Sequence, residues 1–268
     1  MIYSDYHVHT VFCDGKDTPE QMVRMAMERK FLALGFSAHS RTEFDLAWCM
    51  KNVEGYKQEI RRLAEKYMSY LDIYCGVEQD YWSEASTAGF DYVIGSVHYV
   101  QKDGTFYSVD ESAEEQLGHI KDHWQGDYDA FAEDYFALVG DVAEKMAPDI
   151  IGHFDLVSKF SEANGFGQSN RYLDAAEKAI DRLIPYDIPF EINVGAIVRG
   201  LKTVAYPSRE LLERIRAKGG RIVISGDCHS AQTLGYGLEE ACRYAQSAGF
   251  TEHYVLQTDG GWDPVPLG

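Results

Sequence analysis

The chain has no CxxC pair, no apolar run long enough to cross a bilayer and comparatively little positive charge. Its five cysteines, Cys13, Cys49, Cys75, Cys228 and Cys242, are an odd number at scattered spacings. That argues against a disulfide framework and against a zinc ribbon. No stretch approaches the about 18 apolar residues of a membrane helix. The opening MIYSDYHVHT lacks the basic and long apolar regions of a secretory signal, so a reducing cytoplasm is the expected compartment. Lys and Arg number 25 against 43 Asp and Glu, a formal net charge of −18. Such a field repels phosphate backbones, and nucleic-acid binding is not expected. A small charged substrate remains compatible with it, because local cations and metal ions outweigh the global field at short range. Internal repeats, low-complexity tracts and Pro/Ser-rich linkers are missing as well, so residues 1–268 are expected to form one domain.

What the chain does have is a regular alternation of strand-like and helix-like segments, the pattern of a parallel sheet with helical crossovers. Thr18-Pro19-Glu20-Gln21 supplies an N-cap, a proline at the first helical position and a capping-box glutamine. Further helices are expected near 53–68, 129–146, 171–184, 208–218 and 238–248. Gly219-Gly220 stops the fourth of these just before strand RIVISG. The segments 41–52, 100–128 and 161–170 are the least regular, and as loops after strand ends they would wall a site.

Seven apolar runs close in polar residues of ligand type: IYSDYHVH, ALGFSAHS, DIYCGVE, YVIGSVH, IIGHFD, PFEIN and IVISGDCH. Six of the nine histidines stand at these ends. In a parallel barrel the last residues of successive strands meet at one face, where such folds place their active site. A doubly wound open sheet would gather ligands only at its switch point, so contributions from every strand favour the barrel. HYVLQT, near 253–258, is a further run that would make an eighth strand.

His7 and His9 are two residues apart on a strand, so their imidazoles point the same way and suit a single ion. Asp5, on the same side, is expected to orient one ring by a hydrogen bond. Taken singly, His39, Glu78, His98, His153, Asp227 and His229 are better explained as structural or solvated groups. Eight such residues closing consecutive strands point instead to a shared metal site. Nitrogen and oxygen ligands without thiolate suit Zn²⁺, Fe²⁺ or Mn²⁺. Cys228, between Asp227 and His229, should point the opposite way as a small buried residue. His119 and His123 lack a matching third ligand and His253 precedes its strand, so these three are expected to be structural.

Together DYHVHT, the single-histidine strand ends, Glu78 and the closing GDCHS resemble the PHP (polymerase and histidinol phosphatase) family, from residue 5 to about 230. Length and layout look most like its histidinol-phosphate phosphatase branch. The resemblance implies a distorted (β/α)7 TIM-like barrel holding two or three divalent metal ions. Carried over by motif, His7, His9 and Asp227 would hold the first ion. Glu78 would bridge to a second, completed by His98 and His153. His39 and His229 would hold a third with Asp14, or with the nearby Asp17.

The family likeness further implies a phosphomonoesterase acting on L-histidinol phosphate in histidine biosynthesis. A phosphate monoester dianion repels hydroxide, so metal ions that activate water and neutralise phosphoryl charge answer the chemical need. The implied mechanism is attack by a metal-bridging hydroxide without a covalent phosphoenzyme. Glu78, Asp227 and His229 would be its catalytic residues, with Asp227 or His229 relaying a proton. A nucleotide or sugar phosphate would use the same ligands. A non-catalytic binding module would be expected to have lost ligands that are complete here.

Arg199 follows PFEIN and Lys159 follows GHFD, where cations would overlook the barrel mouth and grip phosphate. Asn193 at its strand end and Arg41 just after His39 are expected to join them in binding substrate. Glu43, Phe44, Asp45, Trp48, Asp80, Tyr81 and Trp82 offer carboxylates and rings to an aminoalcohol-imidazole. The expected partner is therefore a small phosphorylated molecule, with neither nucleic acid nor membrane.

Overall fold

The computed structural model describes residues 4–268; Ile2 and Tyr3 of the first expected strand lie outside them. Strand β1 (Ser4–Asp5) is followed by a helix at Pro19–Glu28 and by β2 (Ala33–His39). The helix Val53–Tyr67 leads into β3 (Asp72–Asp80), and β4 (Val93–Ser96) comes next. A hairpin of β5 (Tyr99–Lys102) and β6 (Thr105–Ser108) then precedes three helices and β7 (Ile150–Ile151). The remaining strands are β8 (Phe190–Asn193), β9 (Ile222–Ser225), β10 (Glu252–Leu256) and β11 (Trp262–Pro266).

Seven of these strands form one parallel sheet in the order β1-β2-β3-β4-β7-β8-β9. Its two ends meet through the residues just past β1 and β9. Cys228 N donates to His7 O at 2.9 Å, His9 N donates to Cys228 O at 2.8 Å, and Val8 and Cys228 form a parallel bridge. The barrel is therefore closed on its ligand side by residues that flank the metal-type side chains. Register does the rest. Parallel pairing sets His39 beside Glu78 and Asn193 beside Ser225, so the strand ends finish level.

Local chemistry explains the outer helices. Thr18 accepts from Gln21 N while Gln21 Oε1 accepts from Thr18 N at 2.9 Å, closing the expected capping box. In Asn170–Leu183 the buried residues Tyr172, Leu173, Ala176, Ala179, Ile180 and Leu183 recur every three or four positions and join the hydrophobic core. The expected helix at 129–146 is broken into Tyr128–Val139 and Val142–Met146. The break falls at Gly140, where an added Cβ would lie 3.1 Å from Ala179 Cα of the neighbouring helix.

The end of the barrel opposite the ligands is filled by aromatic rings. Tyr6 packs against Tyr74, Tyr92 and Trp262 with centroids 6.1, 6.0 and 5.4 Å apart. Tyr92 crosses the interior so closely that a Cβ on Gly76 would come within 2.3 Å of its ring, which is why that strand position is glycine. The run at 253–258 is not an eighth barrel strand. It pairs antiparallel with β11 alone, and Leu256 N bonds to Tyr6 Oη at 3.1 Å, so the hairpin caps the barrel base. The irregular stretch 100–128 also holds more order than expected, in the β5–β6 hairpin and a helix at Ala113–His123.

Candidate metal centre

One carboxylate organises the ligand face. Glu78, at 1% exposure, has five imidazoles within 3.5 Å. Its Oε2 lies 3.1 Å from His7 Nε2, 3.5 Å from His9 Nε2 and 2.9 Å from His39 Nδ1. Its Oε1 lies 2.9 Å from His153 Nε2 and 3.2 Å from His98 Nε2. Asp227 Oδ1 joins the first group at 3.5 Å from His9 Nε2 and 3.9 Å from His7 Nε2. Further out, Asp14 Oδ2 lies 3.0 Å from His229 Nε2, and Asp14 Oδ1 lies 3.7 Å from His39 Nε2.

Two of these pairs are hydrogen bonds, His153 Nε2 with Glu78 Oε1 and His229 Nε2 with Asp14 Oδ2, but other atoms of the cluster are left over. His7 Nε2, His9 Nε2, Glu78 Oε2 and Asp14 Oδ1 are all buried and have no hydrogen-bond partner. Buried polar atoms are rarely left so. Three sets offer donor atoms that converge within 4.8 Å: His9, Asp14, His39 and His229; His7, His9 and Glu78; and His39, Glu78 and His98. Imidazole nitrogen and carboxylate oxygen in this arrangement fit divalent ions, which would satisfy the orphaned atoms and the clustered charge at once. Asp14 is the acid that faces the centre. Asp17 instead accepts from Ala231 N at 2.7 Å and caps a short turn.

Electrostatics follow from this crowding. Burial works against charge on Glu78, but His7, His39 and His98 more than offset it and hold its carboxyl well below the usual range. Asp227 is also held well below its ordinary value: burial opposes, and Arg199, His7 and His229 outweigh it. For His7, burial favours the neutral ring while Glu191, Glu78 and Asp227 push its pKa well up. His9 is pushed well down, by burial and by the neighbouring His229 and His39.

The groups that orient the rings are not those expected from sequence. Asp5 accepts from His7 N at 3.1 Å and Gly226 N at 3.0 Å, so it pins backbone and touches no ring. Glu191 takes that place, with Oε1 2.6 Å from His7 Nδ1 and Oε2 accepting from His153 N at 2.8 Å. Asp80 does the same for His98, 3.1 Å from its Nδ1. Glu191 was missed and Asp80 was read as a substrate contact, although each stands two residues from a flagged strand-end residue and so shares its face.

Above the centre opens a cavity of about 620 Å³. Arg199 and Lys159 line it. Arg199 Nη2 donates to Asp227 Oδ2 at 3.1 Å, and Nη1 lies 3.1 Å from His229 Nδ1. Lys159 Nζ donates to Asp110 O at 2.8 Å and Oδ2 at 3.0 Å. Two other substrate-contact expectations are corrected. Asn193 is fully buried, donating to Glu191 Oε2 at 3.1 Å and accepting from Gly195 N at 2.9 Å, so it supports the site from beneath. Arg41 turns its Nε to Glu43 Oε1 at 2.9 Å and does not line the cavity.

Asp227 is held in a left-handed backbone conformation, φ 49°, and its carboxylate rests against Gly195. A Cβ there would come within 2.7 Å of Asp227 Oδ2, so the glycine is the space the carboxylate occupies. Cys228 points its thiol to Ser230 O at 3.0 Å. His119 and His123 flank the Tyr107 ring, and His253 is buried in the basal hairpin.

A closed parallel barrel whose strand ends converge on clustered imidazoles and carboxylates defines a metal-binding barrel protein with an open, cation-lined cavity. The PHP domain model matches residues 5–195, and the chain belongs to that family. A Schizosaccharomyces pombe protein named "Probable histidinol-phosphatase" is 27% identical, the match covering 89% of this chain and 83% of that protein. A Deinococcus radiodurans protein of the same name is also 27% identical, over 91% of this chain and 93% of its own. Among solved structures, a Lactococcus lactis histidinol phosphate phosphatase complexed with Zn, L-histidinol and phosphate superposes with a TM-score of 0.71 at 20% identity. That match covers 97% of this chain and 98% of that one, and it establishes the shared fold.

Proposed function

We propose that this chain is a metal-dependent phosphomonoesterase that hydrolyses L-histidinol phosphate to L-histidinol and phosphate. The observation that carries the reading is the convergence of unpartnered, buried His7 Nε2, His9 Nε2 and Glu78 Oε2 beneath a cavity lined by Arg199 and Lys159. His7, His9, Glu78 and Asp227 would hold one divalent ion, and Glu78, His98 and His153 a second. Asp14, His39 and His229 would hold a third. Zn²⁺, Mn²⁺ and Fe²⁺ all suit this donor set. Such ions would supply activated water at neutral pH and neutralise phosphoryl charge.

The chain's own groups do the rest. Glu191 and Asp80 fix the tautomers of His7 and His98 by engaging Nδ1, leaving Nε2 as the donor atom. Arg199 has guanidinium N–H groups beyond those given to Asp227 and His229, and these would grip the phosphoryl oxygens. Lys159, in the segment after the neighbouring strand β7, adds a second charge to the cavity lining. Asp227 and His229, with Oδ1 and Nδ1 3.5 Å apart, stand where a proton would pass to the departing alcohol oxygen.

The relatives' names support the substrate, and the −18 charge supports a small ester over a nucleic acid. We also read residues 1–268 as one domain and place it in the cytoplasm, in keeping with five free cysteines. No helix among the described residues is long and apolar enough to cross a membrane. A substrate panel tests the reading: metal-loaded protein should favour L-histidinol phosphate over nucleotide and sugar phosphates. Preference for one of the latter would keep the centre and replace the substrate.

A further inference from the structure

A second cavity lies apart from the barrel mouth and shares no lining residue with it. It holds about 570 Å³, beside the short turn Leu156–Ser158 and the start of the helix Arg209–Ala217. Lys202 lines it at 9% exposure. Its Nζ donates to Ser158 O at 3.1 Å and Ser158 Oγ at 2.9 Å, and it makes no ion pair among the described residues. A buried ammonium is ordinarily matched by an anion, because burying its charge alone is costly. Two neutral oxygens leave one N–H and the charge itself unanswered.

The acids around it are committed elsewhere. Glu162 Oε1 accepts from Thr203 N and Oγ1, each at 3.0 Å, Glu210 Oε1 accepts from Arg214 Nη2 at 2.9 Å, and Glu213 pairs with Arg209. Asp155, fully buried, gives Oδ2 to Ser208 N at 3.1 Å and makes no ion pair with Lys202 either. Ser208 Oγ accepts from Gln168 Nε2 at 2.7 Å instead of capping the helix that Ser208 precedes. The first amides of that helix therefore lack a side-chain acceptor, and they add positive potential to the cavity. Other parts of the lining are apolar. Phe166 stacks on Tyr128 with centroids 4.3 Å apart, and Val204 is 38% exposed.

We propose that this cavity is a second, non-catalytic binding site for a small organic carboxylate. Its oxygens meet the Lys202 ammonium, and its apolar body lies on Phe166 and Val204. One ammonium answers one negative charge, and the surrounding glutamates disfavour a dianion such as phosphate. The ligand then supplies the counter-charge that the chain does not.

The test titrates benzoate into the full chain loaded with zinc, read by calorimetry, with acetate and inorganic phosphate as comparisons. Lys202→Met should weaken benzoate at least about tenfold. Acetate should bind wild type about tenfold more weakly than benzoate, since it lacks the apolar body. Phosphate should bind wild type and Lys202→Met alike, at the zinc centre. Val204→Glu leaves Lys202 in place and decides the matter if Lys202→Met fails to fold: it should weaken benzoate about fivefold through repulsion. Wild type that takes up no benzoate overturns the site. Benzoate affinity that the folded variants leave unaltered puts the carboxylate on the zinc centre and overturns it too. Acetate that binds as tightly as benzoate, or a phosphate response that Lys202→Met removes, overturns the ligand assignment.

Discussion

Glu191 Oε1 lies 2.6 Å from His7 Nδ1, and both side chains are fully buried. A carboxylate at that nitrogen fixes the ring and turns Nε2 toward Glu78, 3.1 Å away. The pair explains why a charged residue stands in the middle of PFEIN, between Phe190 and Ile192 of a buried strand. It also makes the ring a stronger donor toward a metal ion.

Replacing Glu191 by Gln keeps the volume and removes the charge. Zinc affinity should fall roughly 10- to 100-fold. Titration with a competing chelator, alongside a melting curve to confirm folding, checks this.

Gly195→Ala places a methyl group against the Asp227 carboxylate, within 2.9 Å of its Cγ. A close-packed site has no room to absorb it, so stability should drop by about 1–3 kcal/mol. Metal content should fall with it, measured by elemental analysis of the folded variant. Full occupancy would show that Asp227 moves freely.

Arg199→Ala removes a phosphate contact and also the counter-charge of Asp227, 3.1 Å away. A phosphate contact alone would act mainly on KM. The ion pair predicts that kcat and metal content fall too, with kcat/KM down roughly a hundredfold. Steady-state kinetics at saturating zinc separates the two.

Metal binding should weaken in acid. His7, His39 and His98 each gain protons more readily than a free imidazole, since burial is outweighed by Glu78 and, at His7, by Glu191. An ion must displace those protons, so affinity is highest at alkaline pH and declines as pH falls. The loss should approach about tenfold per pH unit for each proton released. Zinc titrations between about pH 8 and about pH 6 would show the slope.

A second acid effect belongs to the base of the barrel. Burial lowers His253 from 6.5 to about 4. Its neutral form is the folded one, so the contribution is complete above 6.5 and is lost as pH falls toward 4. The total is about 3 kcal/mol. Urea unfolding of wild type and His253→Asn across that range should show the wild type losing more stability.

Much of this centre is legible in the sequence because strand geometry is simple. A polar residue closing an apolar run must lie at the strand's end, and parallel pairing such as His39 with Glu78 sets those ends level. Glu191, and the supporting role of Asp80, were hidden for the opposite reason: each lies beside a more conspicuous neighbour, Asn193 or Glu78, and only depth in the barrel separates support from ligand. Asp5 failed as a ring partner because His7 N captures its carboxylate and turns it to backbone. The run at 253–258 carries a strand's pattern, but alternation does not name the partner, and WDPVP takes it. The Phe44–Phe106 stack joins residues 62 positions apart, a contact that no local pattern encodes.

Phosphate release from L-histidinol phosphate, by wild type and Glu78→Gln, before and after chelation and zinc re-addition, tests the central claim most directly. The account predicts wild-type turnover that chelation abolishes and zinc restores, with Glu78→Gln inactive throughout. Turnover that survives chelation, or a Glu78→Gln variant that keeps wild-type activity, would contradict it.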